Sequence, residues 1–222
     1  NGFNCGDSGK VKNLGNLQLT AGKAAMDSIQ KAVSKELNRN QKVVSLGGDH
    51  SITFPIIQAY SQSYPDLNIL HIDAHPDLYD NFENNPYSHA SPFARIMEKG
   101  LVNRLVQVGI RTLNDHQKEQ VKQFGVEVIE MKDFDPTVSF QFGGPVYISI
   151  DMDALDPAFA PGVSHHEPGG LSTREVINII HQLSGNVVGG DIVEYNPDKD
   201  INNITAVVTA KLMKELIGKI LK

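Results

Sequence analysis

Asp73-Ala74-His75-Pro76-Asp77 and Asp151-Met152-Asp153 each close a strongly apolar run and set acidic or imidazole groups on alternate residues. Alternate residues of an extended strand project to the same side, so Asp73 with His75, and Asp151 with Asp153, can each address one point in space. Carboxylates gathered this closely repel one another and resist burial unless cations neutralise them. Gly47-Gly48-Asp49-His50 ends a third apolar run and completes a candidate ligand set of two His and four Asp: His50, Asp73, His75, Asp77, Asp151 and Asp153. The set exceeds what one zinc takes and suits two hard or borderline divalent ions. Pro76 breaks the second run and lets Asp77 swing back toward the same place.

Each motif also has a plainer reading. The acids of the 73–77 motif could cap the following turn, Asp156-Pro157 reads as a turn, and Gly47-Gly48 could be a tight βα connection with Asp49 or Ser51 capping the next helix. All three would have to hold together. The pair Asp151 and Asp153 moreover extends the apolar run Val146-Tyr147-Ile148-Ser149-Ile150, where free carboxylates would repel.

These motifs need elements that bring them to one rim. Short β-rich runs alternate with helical patterns along the chain, the mark of βαβ units and a parallel sheet. Strands are expected at 42–46, 67–73, 104–110, 126–131, 146–151 and 187–193. Helices are expected at 19–37, 52–61, 92–99, 115–124, 173–183 and 205–221, the fifth opened by a capping box at Ser172 and Glu175. Most of the strands are rich in Val, Ile and Leu, as strands covered on both faces should be. The predicted fold is α/β, a doubly wound, mainly parallel sheet with helices on both faces. In such sheets ligands bind beyond the carboxyl ends of the strands, where His50, Asp73, Asp151 and Glu194 all fall. No linker or repeat divides the chain, so residues 1–222 read as one domain, with a poorly patterned segment at 1–18. That segment lacks an initiator Met and suggests a shortened or processed start.

Composition narrows the function classes. The chain has 222 residues and a net charge of −6, with no run of Lys or Arg, which speaks against nucleic acid or an anionic membrane surface as partner. Its single cysteine, Cys5, allows no internal disulfide and fits a reducing compartment, here the cytoplasm. No apolar run approaches a membrane span.

Three further groups stand out. His89, in Tyr87-Ser88-His89-Ala90-Ser91, closes a connection leading from the 73–77 motif and could titrate near neutrality. Glu194 follows the run Val187-Val188-Gly189-Gly190-Asp191-Ile192-Val193 and could pair with a planar cation. His71, two residues before Asp73, reads as a packed residue behind the ligands. His116 and His181 lie in helical patterns and read as surface groups.

Taken together, the stretches GGDHS, DAHPDLYD, SHASPFARI, SIDMDALDPAFAPGVSH and DIVEYNP resemble the ureohydrolase (arginase/agmatinase) superfamily, from about residue 42 to the C-terminus. SHASPFARIME and PAFAPGVSHHEPGGLS are similar to plant-type arginases and related bacterial agmatinase- or guanidinase-like enzymes. The resemblance implies a hydrolase with two Mn2+ per chain, Ni2+ being the alternative. One ion would be held by His50, Asp73, Asp77 and Asp151, the other by His75, Asp73, Asp151 and Asp153. His89 would shuttle protons, Glu194 would hold the guanidinium, and Tyr79, Asn85 and His165 would contact the rest of the substrate. The reaction implied is hydroxide addition to the guanidinium carbon, with the leaving amine protonated through Asp153 or His89 and urea released. Arginine is the first expectation for the small-molecule guanidino substrate, with agmatine or free guanidine next. A formiminoglutamase, a deacetylase-like amidohydrolase or a catalytically silent homologue are the alternatives. The resemblance also implies a homo-oligomer, trimer or hexamer. Members usually have a longer N-terminal part than this chain. The pair His165-His166 stands where animal arginases carry small residues, so recognition of the substrate's tail does not transfer from them.

Overall fold

The computed structural model describes residues 9–222; Cys5 lies outside them. Among the described residues six strands form one sheet: β1 Val44–Leu46, β2 Asn68–Ile72, β3 Arg104–Ile110, β4 Glu127–Glu130, β5 Gln141–Asp151 and β6 Ser184–Val193. Their order is β1-β6-β5-β2-β3-β4, and every neighbouring pair runs parallel. The helices are α1 Gly22–Leu37, α2 Thr53–Ser63, α3 Pro92–Glu98, α4 Asp115–Phe124, α5 Thr173–Gln182 and α6 Ile204–Ile220.

Alternation along the strands decides which side chains meet which helices. Leu70 and Ile72 of β2, with Ile148 and Ile150 of β5, pack into one core with α5 and α6. Ile69 of β2 and Tyr147 of β5 face the opposite core, built with α1 to α4. Helices following β2 and β5 therefore leave on opposite faces, and β2 and β5 are neighbours. A crevice opens beyond the carboxyl ends of two such strands, because the chain departs from them in opposite directions. Asp73 directly follows β2, and Asp151 is the last residue of β5.

The elements match the sequence expectations closely, including the reciprocal capping box of Ser172 and Glu175 at the start of α5. The main difference lies in β5 and β6, which begin earlier than expected, at Gln141 and Ser184. Gly143, Gly144 and Pro145 interrupt the apolar pattern there, and the pairing of β5 with β6 is itself irregular between Gln141 and Pro145. Asp49 does cap, as its plainer reading held: its carboxylate accepts from the Ser51 amide at the 3-10 turn His50–Ile52.

Candidate metal centre and cleft

The three ligand motifs meet at the carboxyl rim. His50 Nδ1 lies 3.2 Å from Asp73 Oδ2, 3.1 Å from Asp77 Oδ2 and 3.2 Å from Asp151 Oδ2. This buried nitrogen has no hydrogen-bond partner among the described residues. Beside it, His75 Nδ1 lies 3.2 Å from Asp153 Oδ2 and 3.5 Å from Asp73 Oδ1. Asp73 thus faces both histidines, and Asp73, Asp151 and Asp153 are buried. An arrangement of lone-pair donors round an unbonded buried nitrogen fits a cation, since without one the oxygens only repel.

The carboxylates also raise the pKa of both imidazoles. Burial alone would lower the pKa of His50, but Asp151, Asp73 and Asp77 outweigh it and hold the imidazole well above its ordinary value. His75 is treated likewise: burial opposes, yet Asp153 and Asp73 push it up to about 12. Burial and then Asp73 raise Asp77 to about 7, and burial with Asp153 and Asp73 raises Asp151.

Local backbone geometry places these groups. Asp77, after Pro76, sits at φ 50°, and Glu194 at φ 64°. Left-handed backbone is uncommon for residues with a Cβ, and each such position costs about 1–3 kcal/mol. Gly109, at φ 99°, forms a bulge in β3, where an added Cβ would stand 2.8 Å from the Asp73 carbonyl oxygen. Glycine there lets β3 close against the residue that faces both histidines.

His71 is packed behind the ligands, stacked on Phe93 with ring centroids 3.9 Å apart. Its hydrogen bonds show what it does. Gln107 Nε2 lies 2.7 Å from the Pro76 carbonyl, which can only accept, so the amide nitrogen also donates to His71 Nδ1 at 3.0 Å. His71 Nε2 then carries the proton and donates to Asp73 Oδ2 at 2.7 Å. Burial lowers the His71 pKa to about 4, which keeps the ring neutral.

The cluster opens into a cleft of about 540 Å³ also lined by Tyr79, His89, His165 and Glu194. Glu194 Oε1 accepts from the His50 backbone amide at 2.9 Å, and burial raises its pKa. His89 stacks on His165 with centroids 5.5 Å apart and planes 16° apart. Tyr79 lines the cleft, but its hydroxyl accepts from Asn114 Nδ2 at 2.6 Å. Asn85 is not brought in: it is exposed, and its Oδ1 accepts from the Tyr87 amide at 3.0 Å. His116 is partly exposed, 3.3 Å from Asp80, and stacks on Tyr79.

Several residues of this region carry no signal of their own in the sequence. Arg111 donates to the carbonyls of Asp153 at 2.7 Å and Glu167 at 2.6 Å, and also to those of Gly109, Ala154 and Leu155. It ties the segment bearing Asp153 to the one bearing His165. Ser149 and Asp191 lie beneath His50. Alternation from Asp151 back to Ser149 and an Asp inside an apolar run at 191 were the two available hints.

The arginase family model matches residues 3–218. The chain belongs to the arginase family. It is 56% identical over 186 residues to the mitochondrial arginase 1 of Oryza sativa subsp. indica, covering 80% of this chain and 55% of that protein. It is 34% identical to an agmatinase of Bacillus cereus over 216 residues, 94% of this chain and 74% of the relative. Among solved structures, the arginase from Medicago truncatula superposes with a TM-score of 0.87 at 50% identity, covering 90% of this chain and 66% of that one. The chain thus spans little more than half the length of the plant arginases it matches. The His/Asp cluster of this chain lies at the β2/β5 rim, among residues that could hold metal. No helix among the described residues is long and apolar enough to cross a membrane.

Proposed function

We propose that this chain is a ureohydrolase that uses two divalent ions to cleave a guanidino group to urea and an amine, with arginine as substrate. The observation that carries the reading is the convergence of His50 with Asp73, Asp77 and Asp151, and of His75 with Asp73 and Asp153, in the cleft that Glu194 also lines. His50, Asp73, Asp77 and Asp151 would hold one ion, and His75, Asp73, Asp151 and Asp153 the other. Carboxylate-rich sites with imidazole suit Mn2+, with Ni2+ as the alternative.

A guanidinium is a poor electrophile because its charge is shared by three nitrogens. Two ions bound here would supply hydroxide at neutral pH by lowering the pKa of water. The chain's own groups do the rest. Glu194, outside both ligand sets, would pair with the planar cation and orient its carbon. His89, half-buried at the cleft wall, would carry protons between the cleft and solvent. The leaving amine would take its proton from His89 or Asp153. His165 and Tyr79 would meet the substrate's tail.

A second reading is agmatine. Arg111 is the one guanidinium or ammonium side chain among the described residues lining the cleft, and its N–H groups are engaged with backbone carbonyls. No uncommitted guanidinium or ammonium group among the described residues of the cleft is therefore left for the carboxylate of arginine, whereas agmatine has none to satisfy. With either substrate the proposal includes a homotrimer or hexamer acting in the cytoplasm or, as the name of the rice relative says of that protein, in mitochondria.

Urea release from arginine, agmatine, guanidinobutyrate and guanidine, measured on manganese-loaded protein, tests the assignment. The highest kcat/KM should fall on arginine. Protein that binds two ions yet releases urea from none of the four would overturn it.

A further inference from the structure

A polar row crosses the sheet one layer beneath the cluster. Ser45 on β1, Asp191 on β6, Ser149 on β5, His71 on β2 and Gln107 on β3 are Cα partners in successive parallel pairs. The last four are buried, in strands otherwise made mostly of apolar residues. The Gln107–His71 half of the row ends in a proton donated to Asp73, as described above. The Asp191–Ser149 half runs toward His50 and has no part in the proposed reaction.

Asp191 is fully buried, and three hydroxyls converge on it: Thr53 Oγ1 at 2.8 Å, Tyr147 Oη at 2.9 Å and Ser149 Oγ at 2.6 Å. Burial raises the Asp191 pKa and the three hydroxyls oppose that rise by donating to it, so each of them spends its proton on a carboxylate that only accepts. The single hydroxyl proton of Ser149 is therefore committed to Asp191. Ser149 Oγ has only lone pairs left for His50 Nε2, which lies 2.9 Å away. A hydrogen bond there requires the proton to be on Nε2. The direction of the chain, from His50 to Ser149 to Asp191, leaves Nδ1 as the nitrogen that faces the three carboxylates.

We propose that Asp191 and Ser149 are positioning residues that fix His50 as the Nε2–H imidazole and so hold its Nδ1 open to a divalent cation. The inference rests on the two-ion reading given above. Imidazole ligands oriented by an outer partner lose about 10- to 100-fold in metal affinity when that partner is removed. Here the partner is a hydroxyl, and its own direction is set by a carboxylate that touches no candidate ligand.

The test uses manganese alone, titrated calorimetrically into Ser149→Ala, Ser149→Thr, Asp191→Asn and the unmodified chain, with electron paramagnetic resonance at each loading. The unmodified chain should bind two ions and give the spectrum of a spin-coupled pair. Ser149→Ala should lose about 10- to 100-fold in affinity for one ion only. At loadings that saturate the unmodified chain, its spectrum should become that of an isolated ion. Ser149→Thr, which keeps the hydroxyl, should restore the pair. Asp191→Asn, with one accepting oxygen for three hydroxyls, should repeat the selective loss. Ser149→Ala binding both ions with undiminished affinity would overturn the proposal. Equal weakening of both sites together with a lower Tm of the metal-free protein, not rescued by threonine, would overturn it too. If the unmodified chain itself binds no ion pair, the two-ion reading fails, and the proposal falls with it.

Discussion

Asp77 Oδ2 reaches to 3.1 Å from His50 Nδ1 from a backbone at φ 50°, a left-handed conformation uncommon outside glycine though one that Asp adopts more readily than most residues. Burial and the neighbouring Asp73 also push its carboxyl up to about 7. Asp77 thus opposes stability twice over where it stands, through its backbone and through its charge. A group that costs stability in the metal-free chain and faces an unbonded imidazole nitrogen is placed for something other than folding.

The charge contribution is separable by pH. Asp77 has a folded pKa above its unfolded value, so ionising it disfavours folding. That cost is absent below about pH 4 and grows as pH rises toward 7. Asp77→Asn should therefore make the metal-free protein more stable at pH 8, by about 1 kcal/mol or a Tm rise of about 2–4 °C. At pH 4 the two proteins should melt together. Ion uptake should fall. A variant that melts lower than the parent at pH 8 would contradict the assignment of cost.

Metal uptake should release protons. His50 and His75 are both held protonated well above the ordinary imidazole range by the carboxylates around them, and a histidine must be neutral to bind an ion. Apparent manganese affinity should accordingly increase with pH across the neutral range. Calorimetry in buffers of different ionisation enthalpy should detect net proton release. Binding that is independent of both buffer and pH would show that these imidazoles are not displaced from their protons.

Glu194 and His89 should fail differently. Glu194→Gln should keep both ions yet lose most activity on every guanidino substrate, because the amide removes the charge that pairs with the cation. His89→Ala should keep both ions and lower kcat about 100-fold, the usual scale for a positioned acid–base group. Changes at Tyr79 or His165 should instead alter the ratio of kcat/KM for arginine and agmatine. Loss of bound metal in either of the first two variants would reassign that residue to the cluster.

Away from the cleft, Glu215 on α6 joins His181 on α5 at 2.7 Å and Lys211 one turn earlier. Burial would raise its pKa, but Lys211 and His181 prevail and bring it down to about 2. A depressed carboxylate stabilises the fold above its unfolded pKa and loses that contribution as pH falls through the folded one. At pH 7, Glu215→Gln should cost about 2 kcal/mol in urea unfolding, allowing for solvent screening of its partners. The gap should close between pH 4.5 and about 2.

Much of this protein was legible from residue order alone. Continuous apolar runs and helical patterning placed nearly every element, because both faces of a parallel sheet are buried and its strands must be apolar throughout. The ligand motifs stood out against that background, since alternate acids at the end of an apolar strand have few other uses. Tertiary structure decided what depends on contact between distant segments. The sheet order set β2 beside β5 and so brought Asp73 to Asp151. The turn at 82–88 drew Asn85 out of the cleft, while Asn114 of a later segment took the Tyr79 hydroxyl. Strand register laid Asp191, Ser149, His71 and Gln107 side by side. Hydrogen-bond direction through that row depends on which donor meets which acceptor across four strands, and no spacing within a single segment encodes it.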